Sequence, residues 1–386
     1  MEKNTTKVCV TGGSGYIGSW LVKKLLDKGY KVHATLRNLG DASKVDLLKS
    51  LPRASTNLLL FQANIYNPIE FELAIQGCEF VFHVATPLQH ETQNTKYKDT
   101  VEAAIAGVKA IADSCTRSQS VKRLIYTASV ISASSLTEDG LNFKSCVNES
   151  CWSPLDISYA HSNDSMMGYA KSKTLAEKEV LSYNDVCDGK LEVVTLPCGL
   201  VGGGTLLSYI PQSMEAVLSQ LTGNPSTFKV LRFLQELLGS VPLVHVDDVC
   251  EAHIFCMEEA SMRGRFLCAV ANPTIREFAM YWQEKYPEYQ IAQEFMDEQD
   301  KGVVEFDSSK LMRMGFEYKY DMKKILDDSF NCGRRMGALK FMDEQDKGVV
   351  EFDTSKLMSM GFEYKYDMKK ILDDSFDCGR RMGALK

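Results

Sequence analysis

The sequence predicts an α/β fold in which a doubly wound parallel sheet is joined to a smaller C-terminal lobe. Two observations carry this prediction. A glycine-rich turn joins the first strand-like segment to the first helical pattern near the amino terminus. Four more strand-like segments then alternate with helical stretches, which is typical of parallel sheets.

The glycine-rich turn predicts a Rossmann-type dinucleotide site. Lys7–Thr11 is expected to form a buried strand, and Trp20–Leu26 shows a helical pattern. Between them the glycines Gly12, Gly15 and Gly18 recur at every third position. Glycines let the backbone turn tightly and approach a pyrophosphate, and the following helix offers free N–H groups and the positive end of its dipole.

The end of the second predicted strand indicates which nicotinamide cofactor is used. NAD binders usually end this strand with an acidic residue that contacts the ribose 2′-hydroxyl. Here Lys31–Leu36 is followed by Arg37, whose guanidinium suits a 2′-phosphate, and Lys44 is close enough in sequence to assist. We therefore predict NADPH, although a solvated surface arginine would give the same sequence.

The remaining strands of the sheet are expected at Leu58–Phe61, Phe80–Ala85 and Lys122–Thr127, with a helix over Val101–Val108. His83 lies inside an apolar strand and is expected to be a packed, hydrogen-bonded core residue.

Composition excludes several classes of protein. The 386 residues are 45% hydrophobic and 25% charged, which excludes a disordered or fibrous chain. A net charge of −7 argues against nucleic acids and acidic membranes as partners. We find no apolar run that could span a bilayer and no secretory signal, so we expect a cytoplasmic protein with reduced cysteines. No Cys/His spacing fits a metal site, and none is predicted.

A tyrosine–lysine pair is the candidate proton donor. Tyrosine, with a pKa of about 10, needs a nearby cation to exchange protons at neutral pH, and Tyr-x-x-x-Lys supplies one on the same helix face. We favour Tyr169/Lys173, because it opens a helix expected over Ala170–Leu181 and follows a strand ending at Ser129. The same spacing also occurs at three other places, Tyr281/Lys285, Tyr320/Lys324 and Tyr366/Lys370.

The glycine loop, Ser129 and the Tyr169/Lys173 pair together resemble the extended short-chain dehydrogenase/reductase family over nearly all of residues 5–340. The motifs Tyr169-Ala-Lys-Ser-Lys173-Thr-Leu-Ala-Glu and His245-Val-Asp-Asp-Val249 narrow this resemblance to the plant dihydroflavonol reductase group. The resemblance implies that Ser129 orients the substrate oxygen and Tyr169 is the acid. It implies that Lys173 tunes the tyrosine and binds the nicotinamide ribose. The cofactor contacts implied are Thr11, Gly12, Gly15, Tyr16, Ile17, Gly18, Arg37, Lys44, Asn64, Ile65, Val84, Ala85, Thr86, Lys173 and Pro197.

Within that group the chain is most similar to anthocyanidin reductases. Ser134 stands where dihydroflavonol reductases carry asparagine or aspartate, and residues 224–246 resemble the longer loop of anthocyanidin reductases. A small phenolic or flavonoid substrate is implied, with Ser134, Met167 and Phe228 as candidate contacts. Three alternatives stay open: a dihydroflavonol 4-reductase-like enzyme, another plant ketone or aldehyde reductase, and an NADPH-binding protein whose pocket is occluded by its tail.

The C-terminal part of the sequence is duplicated. Residues 295–340 recur as 341–386 with three differences, Ser308/Thr354, Arg313/Ser359 and Asn331/Asp377. We predict an NADPH-binding domain over 1–190, to which later strands return. Residues 191–340 are expected to form mainly the substrate-binding lobe and its C-terminal finish, and 341–386 to be accessory.

Overall fold

A computed structural model describes residues 6–87, 97–137, 142–155, 159–186, 189–296 and 304–339. The second copy of the duplicated segment lies outside the described residues.

The strands are β1 (Lys7–Thr11), β2 (Lys31–Leu36), β3 (Leu58–Gln62), β4 (Phe80–His83), β5 (Arg123–Ser129), β6 (Cys146–Val147), β7 (Glu192–Cys198), β8 (Leu200–Gly202), β9 (Leu243–His245), β10 (Gly264–Arg265) and β11 (Glu305–Phe306). The helices are α1 (Tyr16–Asp27), α2 (Ala42–Lys49), α3 (Ala54–Asn57), α4 (Glu72–Ile75), α5 (Thr100–Ser118), α6 (Asp164–Val186), α7 (Gln212–Val217), α8 (Ser219–Thr222), α9 (Pro225–Leu238), α10 (Val246–Glu258), α11 (Ile275–Lys285), α12 (Ser309–Arg313) and α13 (Met322–Arg335).

The central sheet confirms the predicted fold class. It has seven strands in the order β10-β7-β5-β4-β1-β2-β3, and all of its pairings are parallel. From β1 the chain continues to β2 on one side, while β4 lies on the other. The crevice at the carboxyl ends of β1 and β4 is therefore the topological switch point, where open α/β sheets bind ligands.

Both faces of the sheet are covered by helices. Val8 and Val10 pack with α1 and α10 on one face, whereas Cys9 packs with α5 and α6 on the other. Alternate residues of a strand point to opposite faces, so a strand buried on both sides reads as a continuous apolar run. This explains why β1 could be located from sequence.

Helix α6 begins earlier than predicted. It starts at Asp164, not at Ala170, because the Asn163 side chain accepts a hydrogen bond from the Met166 N–H at 2.9 Å and caps the first turn. Tyr169 therefore lies in the second turn of α6, and its backbone is held on both sides by helix.

Helix α9 shows how the smaller lobe forms locally. The Asn224 side chain accepts from the Ser226 N–H at 3.0 Å, and Gly239 ends the helix with a φ of 77°. Between these ends, leucines at helical spacing are buried in the lobe core, namely Leu231, Leu234, Leu237 and Leu238.

The lobe draws on more of the chain than residues 191–340. Its core also contains Leu136, Val147 and Tyr159, which precede the predicted boundary at residue 190. In the other direction, β7 and β10 belong to the central sheet. The first copy of the duplicated segment completes the lobe, since β11 pairs with β6 and α13 packs against β8 and β9.

Candidate active site

The side chain of Lys173 joins helix α6 to the carboxyl ends of two strands. Its Nζ donates hydrogen bonds to Thr86 Oγ1 at 2.8 Å and to the carbonyl oxygen of Thr127 at 2.9 Å. Only 4% of Lys173 is exposed. Tyr169 lies one helical turn earlier, and residues four apart share a helix face. The predicted pair therefore lies near the carboxyl end of β5.

Burial shifts the pKa values of this pair in opposite directions. Desolvation lowers the pKa of Lys173 to about 8, against the opposing effects of Cys198 and Glu177. Burial raises the pKa of Tyr169 to about 12, and the Ser129 side chain acts in the lowering direction. Desolvation of the phenol thus has the largest effect on the pKa of Tyr169. The ammonium of Lys173 is hydrogen-bonded to two threonine oxygens.

Ser129 is the last residue of β5 and lies beside Cys198 of β7 in the parallel register. Its Oγ accepts from the N–H of Ile131 at 3.4 Å, and its side chain is partly exposed. The Ser129 side chain also hydrogen-bonds to the side chain of Tyr169. The two hydroxyls therefore lie together at the mouth of the crevice.

The glycine loop brings the backbone close to the start of α1. Gly12 has a φ of 67°, which favours glycine, and a Cβ on Gly18 would lie 2.2 Å from the Gly12 carbonyl oxygen. Gly15 caps α1 without a side-chain hydrogen bond, and the first turn contains no acidic residue. By contrast, side chains cap the helices α5, α9, α11 and α13.

This loop fits a dinucleotide. The free N–H groups of the first turn of α1 and its positive dipole end are available for an anion. The glycine contacts leave no room for side chains between the loop, α1 and the end of β4.

Thr11 organises the crevice between β1 and β4, a role that the sequence analysis did not assign. Its Oγ1 accepts from the N–H groups of Val84 and Ala85 at 3.1 Å each. The Thr11 hydroxyl therefore donates to His83 Nδ1, 2.9 Å away. Burial first, and then the charge of Lys173, lowers the pKa of His83 to about 3. The histidine is neutral and buried in the core, in agreement with its predicted role.

The residues predicted to contact the adenosine part of the cofactor follow β2 and β3. Arg37 is exposed directly after β2. Lys44 Nζ lies 2.9 Å from Asp41 Oδ2, and that carboxylate also caps α2. Asn64 Oδ1 accepts from the Tyr66 N–H at 3.1 Å. The side-chain charge of Lys44 and the amide oxygen of Asn64 are thus already engaged by protein groups.

Four other predicted cofactor contacts lie in or next to named elements. Tyr16 and Ile17 open α1, and the Tyr16 hydroxyl donates to the Gly202 carbonyl at 3.2 Å. Ile65 is buried after β3, and Pro197 lies in β7 opposite Ala128 of β5.

A cleft lies between the start of α6 and the smaller lobe. It is a shallow depression open to solvent, with a cavity volume of about 10 Å³, and it includes the predicted contact Met167. Both apolar and polar side chains line it: Ser153, Pro154, Leu155, Tyr159, Met167, Ala170, Lys171 and Leu237.

The other two predicted substrate contacts do not face this cleft. Ser134 is fully buried, and its hydroxyl donates to the Leu237 carbonyl at 2.6 Å while accepting from the Leu136 N–H. Phe228 is 3% exposed and packs edge-on against Phe295 with centroids 5.0 Å apart. In this structure both side chains support the lobe from inside, because protein groups already satisfy their polar or apolar surfaces, and their contact with a substrate stays a prediction.

Within the described residues, no three His, Cys, Asp or Glu side chains are grouped so that they could hold a metal ion. A search of the same residues finds no helix with the length and apolar character needed to cross a membrane.

Comparison with known proteins gives a consistent set of relatives. A family model described as "NAD dependent epimerase/dehydratase family" matches residues 8–266. An anthocyanidin reductase ((2S)-flavan-3-ol-forming) of Vitis vinifera is 36% identical over 332 residues, which cover 86% of this chain and 96% of that protein. A dihydroflavonol 4-reductase of Gerbera hybrida is 36% identical over 339 residues, 88% of each chain.

Solved structures include a similar fold. Vestitone reductase from alfalfa (Medicago sativa) superposes with a TM-score of 0.70 and is 34% identical. The match covers 86% of this chain and 99% of that one.

Proposed function

Because the chain belongs to the NAD dependent epimerase/dehydratase family and is an NAD(P)-dependent oxidoreductase, we propose that it reduces flavonoid-type substrates with NADPH. One observation carries the proposal. The carboxyl ends of the strands carry both parts of the site: the uncapped start of α1 on one side, and Ser129, Tyr169 and Lys173 on the other. Cofactor and substrate would therefore be held side by side at the switch point.

Binding of the cofactor is assigned to the glycine loop and to Arg37. The N–H groups at the start of α1 would hold the pyrophosphate, and Arg37, exposed after β2, would pair with the 2′-phosphate. Lys173 and Thr86 would face the nicotinamide ribose, since they meet beyond the end of β4. NADPH, when bound, supplies a hydride.

Proton transfer is assigned to Tyr169. Ser129 donates a hydrogen bond to the substrate oxygen and holds it at the edge of β5. Tyr169 is protonated at neutral pH, because its pKa is raised to about 12, and it donates its proton to the reduced substrate. Lys173, held by Thr86 and Thr127, places a positive charge beside the phenolate that Tyr169 becomes.

The flavonoid class of substrate is supported by the relatives. Both relatives named above act on flavonoids by their names. Among these, we propose an anthocyanidin reductase-like activity, in which two hydrides from two NADPH molecules and one proton convert the anthocyanidin cation to a flavan-3-ol. A dihydroflavonol 4-reductase-like activity is the second candidate, because the relative of that name has the same sequence identity to this chain, 36%, as the anthocyanidin reductase.

Product analysis tests the proposal. The purified protein with NADPH is given cyanidin in one reaction and dihydroquercetin in another, and the products are identified by liquid chromatography–mass spectrometry. A flavan-3-ol from cyanidin supports the first candidate. A leucoanthocyanidin from dihydroquercetin alone supports the second, and no product from either contradicts the flavonoid class.

A further inference from the structure

A buried ion pair lies behind the proposed catalytic residues, and the mechanism above does not use it. Glu177 of α6 is fully buried and Arg265 of β10 is 5% exposed. The two side chains meet in a fork, with Nε to Oε1 at 2.9 Å and Nη2 to Oε2 at 3.3 Å.

The carboxylate of Glu177 is fully hydrogen-bonded. Besides Arg265, it accepts from Thr195 Oγ1 at 2.7 Å, and Ser132 Oγ lies 2.5 Å from its Oε2. These hydrogen bonds replace the water that a buried carboxylate loses.

The guanidinium of Arg265 reaches into two further segments. Its Nη1 donates to the carbonyl oxygens of Glu149 at 3.0 Å and Cys151 at 2.5 Å. Its Nη2 donates to the carbonyl oxygen and the hydroxyl of Ser132 at 3.2 and 3.0 Å. A planar fork with five donors can join several segments in a way that a single ammonium cannot.

The segments joined in this way are those that carry the proposed chemistry. Glu177 follows Lys173 by one turn and Tyr169 by two, on the same face of α6. Ser132 ends the turn that follows Ser129, and its Oγ lies 2.7 Å from the Ser129 carbonyl oxygen. The carbonyl oxygens of residues 149 and 151 immediately precede the cleft wall that begins at Ser153.

We propose that Glu177 and Arg265 are positioning residues, which fix Ser129 relative to Tyr169 and hold residues 149–155 at the cleft. Stability alone is a poor explanation for the pair, because apolar residues of similar volume often replace a buried ion pair without loss of stability. Geometry is a better one, since a displacement of about 1 Å in a catalytic group can reduce the rate about 100-fold. The kinetic part of this proposal rests on the proposed function.

A second Arg–Glu ion pair, on β5 and β7, provides a control. Arg123 begins β5 and Glu192 begins β7, so this pair lies at the ends opposite Ser129 and Cys198. Arg123 is 4% exposed, its Nε lies 2.9 Å from Glu192 Oε2, and its Nη1 donates to backbone carbonyl groups. Both arginines bind a carboxylate and backbone carbonyl groups. The two pairs differ in their distance from the proposed site and in burial, since Glu177 is fully buried and the Glu192 side chain is 39% exposed.

The experiment compares the double variants E177M/R265M and R123M/E192M in the full chain. We measure kcat and KM, the Kd of NADPH, and hydrogen exchange by mass spectrometry over residues 129–134 and 149–155. For E177M/R265M we expect a loss in kcat of about 100-fold, an unchanged Kd for NADPH, and faster exchange in both segments. For R123M/E192M we expect wild-type kcat and wild-type exchange in these segments.

Several results would overturn the proposal. A folded E177M/R265M protein with wild-type kcat excludes positioning, as does unchanged exchange in both segments. An equal loss of kcat in the control pair would show a general effect of removing an Arg–Glu ion pair. If E177M/R265M does not fold, R265K replaces it, because lysine keeps the charge but loses the fork; wild-type kcat in R265K then contradicts the proposal. If the wild type turns over no flavonoid, the proposed function fails, and the exchange measurements still decide the role of the ion pair.

Discussion

Lys173 Nζ lies 2.8 Å from the hydroxyl oxygen of Thr86, so a side chain beyond the end of β4 helps to hold the cation of helix α6. The second partner of the ammonium is the backbone carbonyl of Thr127, not its side chain. This difference allows the two threonines to be compared directly.

Thr86→Val is expected to lower kcat about 10-fold or more, because the ammonium of Lys173 loses a charge-assisted hydrogen bond and its placement. The loss is measured as the steady-state rate of NADPH oxidation with a substrate that the wild-type protein reduces. Thr127→Val is the control. It keeps the carbonyl that Lys173 uses and removes the hydroxyl that lies 2.7 Å from His253 Nε2, so it should lower stability while kcat stays near the wild-type value. Equal kcat values in the two variants would contradict the assigned role of Thr86.

The lowered pKa of Lys173 predicts how stability depends on pH. Between about pH 8 and about pH 10.4, the folded protein has released the Lys173 proton while the unfolded chain still holds it. The wild type should therefore gain stability relative to Lys173→Met as pH rises through this window. Urea unfolding at pH 7, 8, 9 and 10 measures the difference in the free energy of unfolding between the two proteins. The neighbouring titratable groups Glu177, Cys198 and His83 are present in both. A difference that is constant with pH would contradict a depressed lysine pKa.

Arg37→Asp is expected to shift cofactor preference from NADPH towards NADH, because a carboxylate repels a 2′-phosphate and can accept from a ribose 2′-hydroxyl. The ratio of kcat/KM for the two cofactors measures the shift. Lys44→Ala is the control, since the Lys44 ammonium pairs with Asp41, and it should change the ratio less. An unchanged ratio in Arg37→Asp would remove Arg37 from the cofactor site.

Truncation after Lys340 is expected to leave activity and thermal stability unchanged. The first copy of the duplicated segment already supplies β11 and α13, and the buried side chains of α13 complete the lobe core. Product formation and Tm of the truncated and full chains measure this. A large fall in either would show that residues 341–386 contribute to the fold or to the site, and a large rise in activity would support occlusion by the tail.

The parts of the structure that could be predicted depend on local patterns. Strands such as β1 and β2 are buried on both faces and read as apolar runs, and the glycine loop has a fixed place between strand and helix. The Tyr169/Lys173 pair could be located because its spacing is set within one helix. The start of α6 was misplaced because Asn163 caps it from a stretch without a clear helical pattern.

The contacts that were missed or misassigned depend on residues far apart in the chain. Thr11 and His83 are separated by 72 positions, and Glu177 and Arg265 by 88, so no local pattern reveals either pair. Ser134 was expected to contact substrate because it stands where dihydroflavonol reductases carry asparagine or aspartate. Its burial against Leu237, on a helix 103 positions away, reflects how the lobe packs and could not be derived from the sequence.

The central claim is that Tyr169 donates the proton in an NADPH-dependent reduction. The measurement that tests it most directly is the turnover rate of Tyr169→Phe, with product identified by mass spectrometry and NADPH binding measured on the same sample. We expect turnover to fall by about 100- to 10,000-fold while the Kd of NADPH stays unchanged, because only the proton donor is lost. Wild-type turnover in Tyr169→Phe would contradict the account.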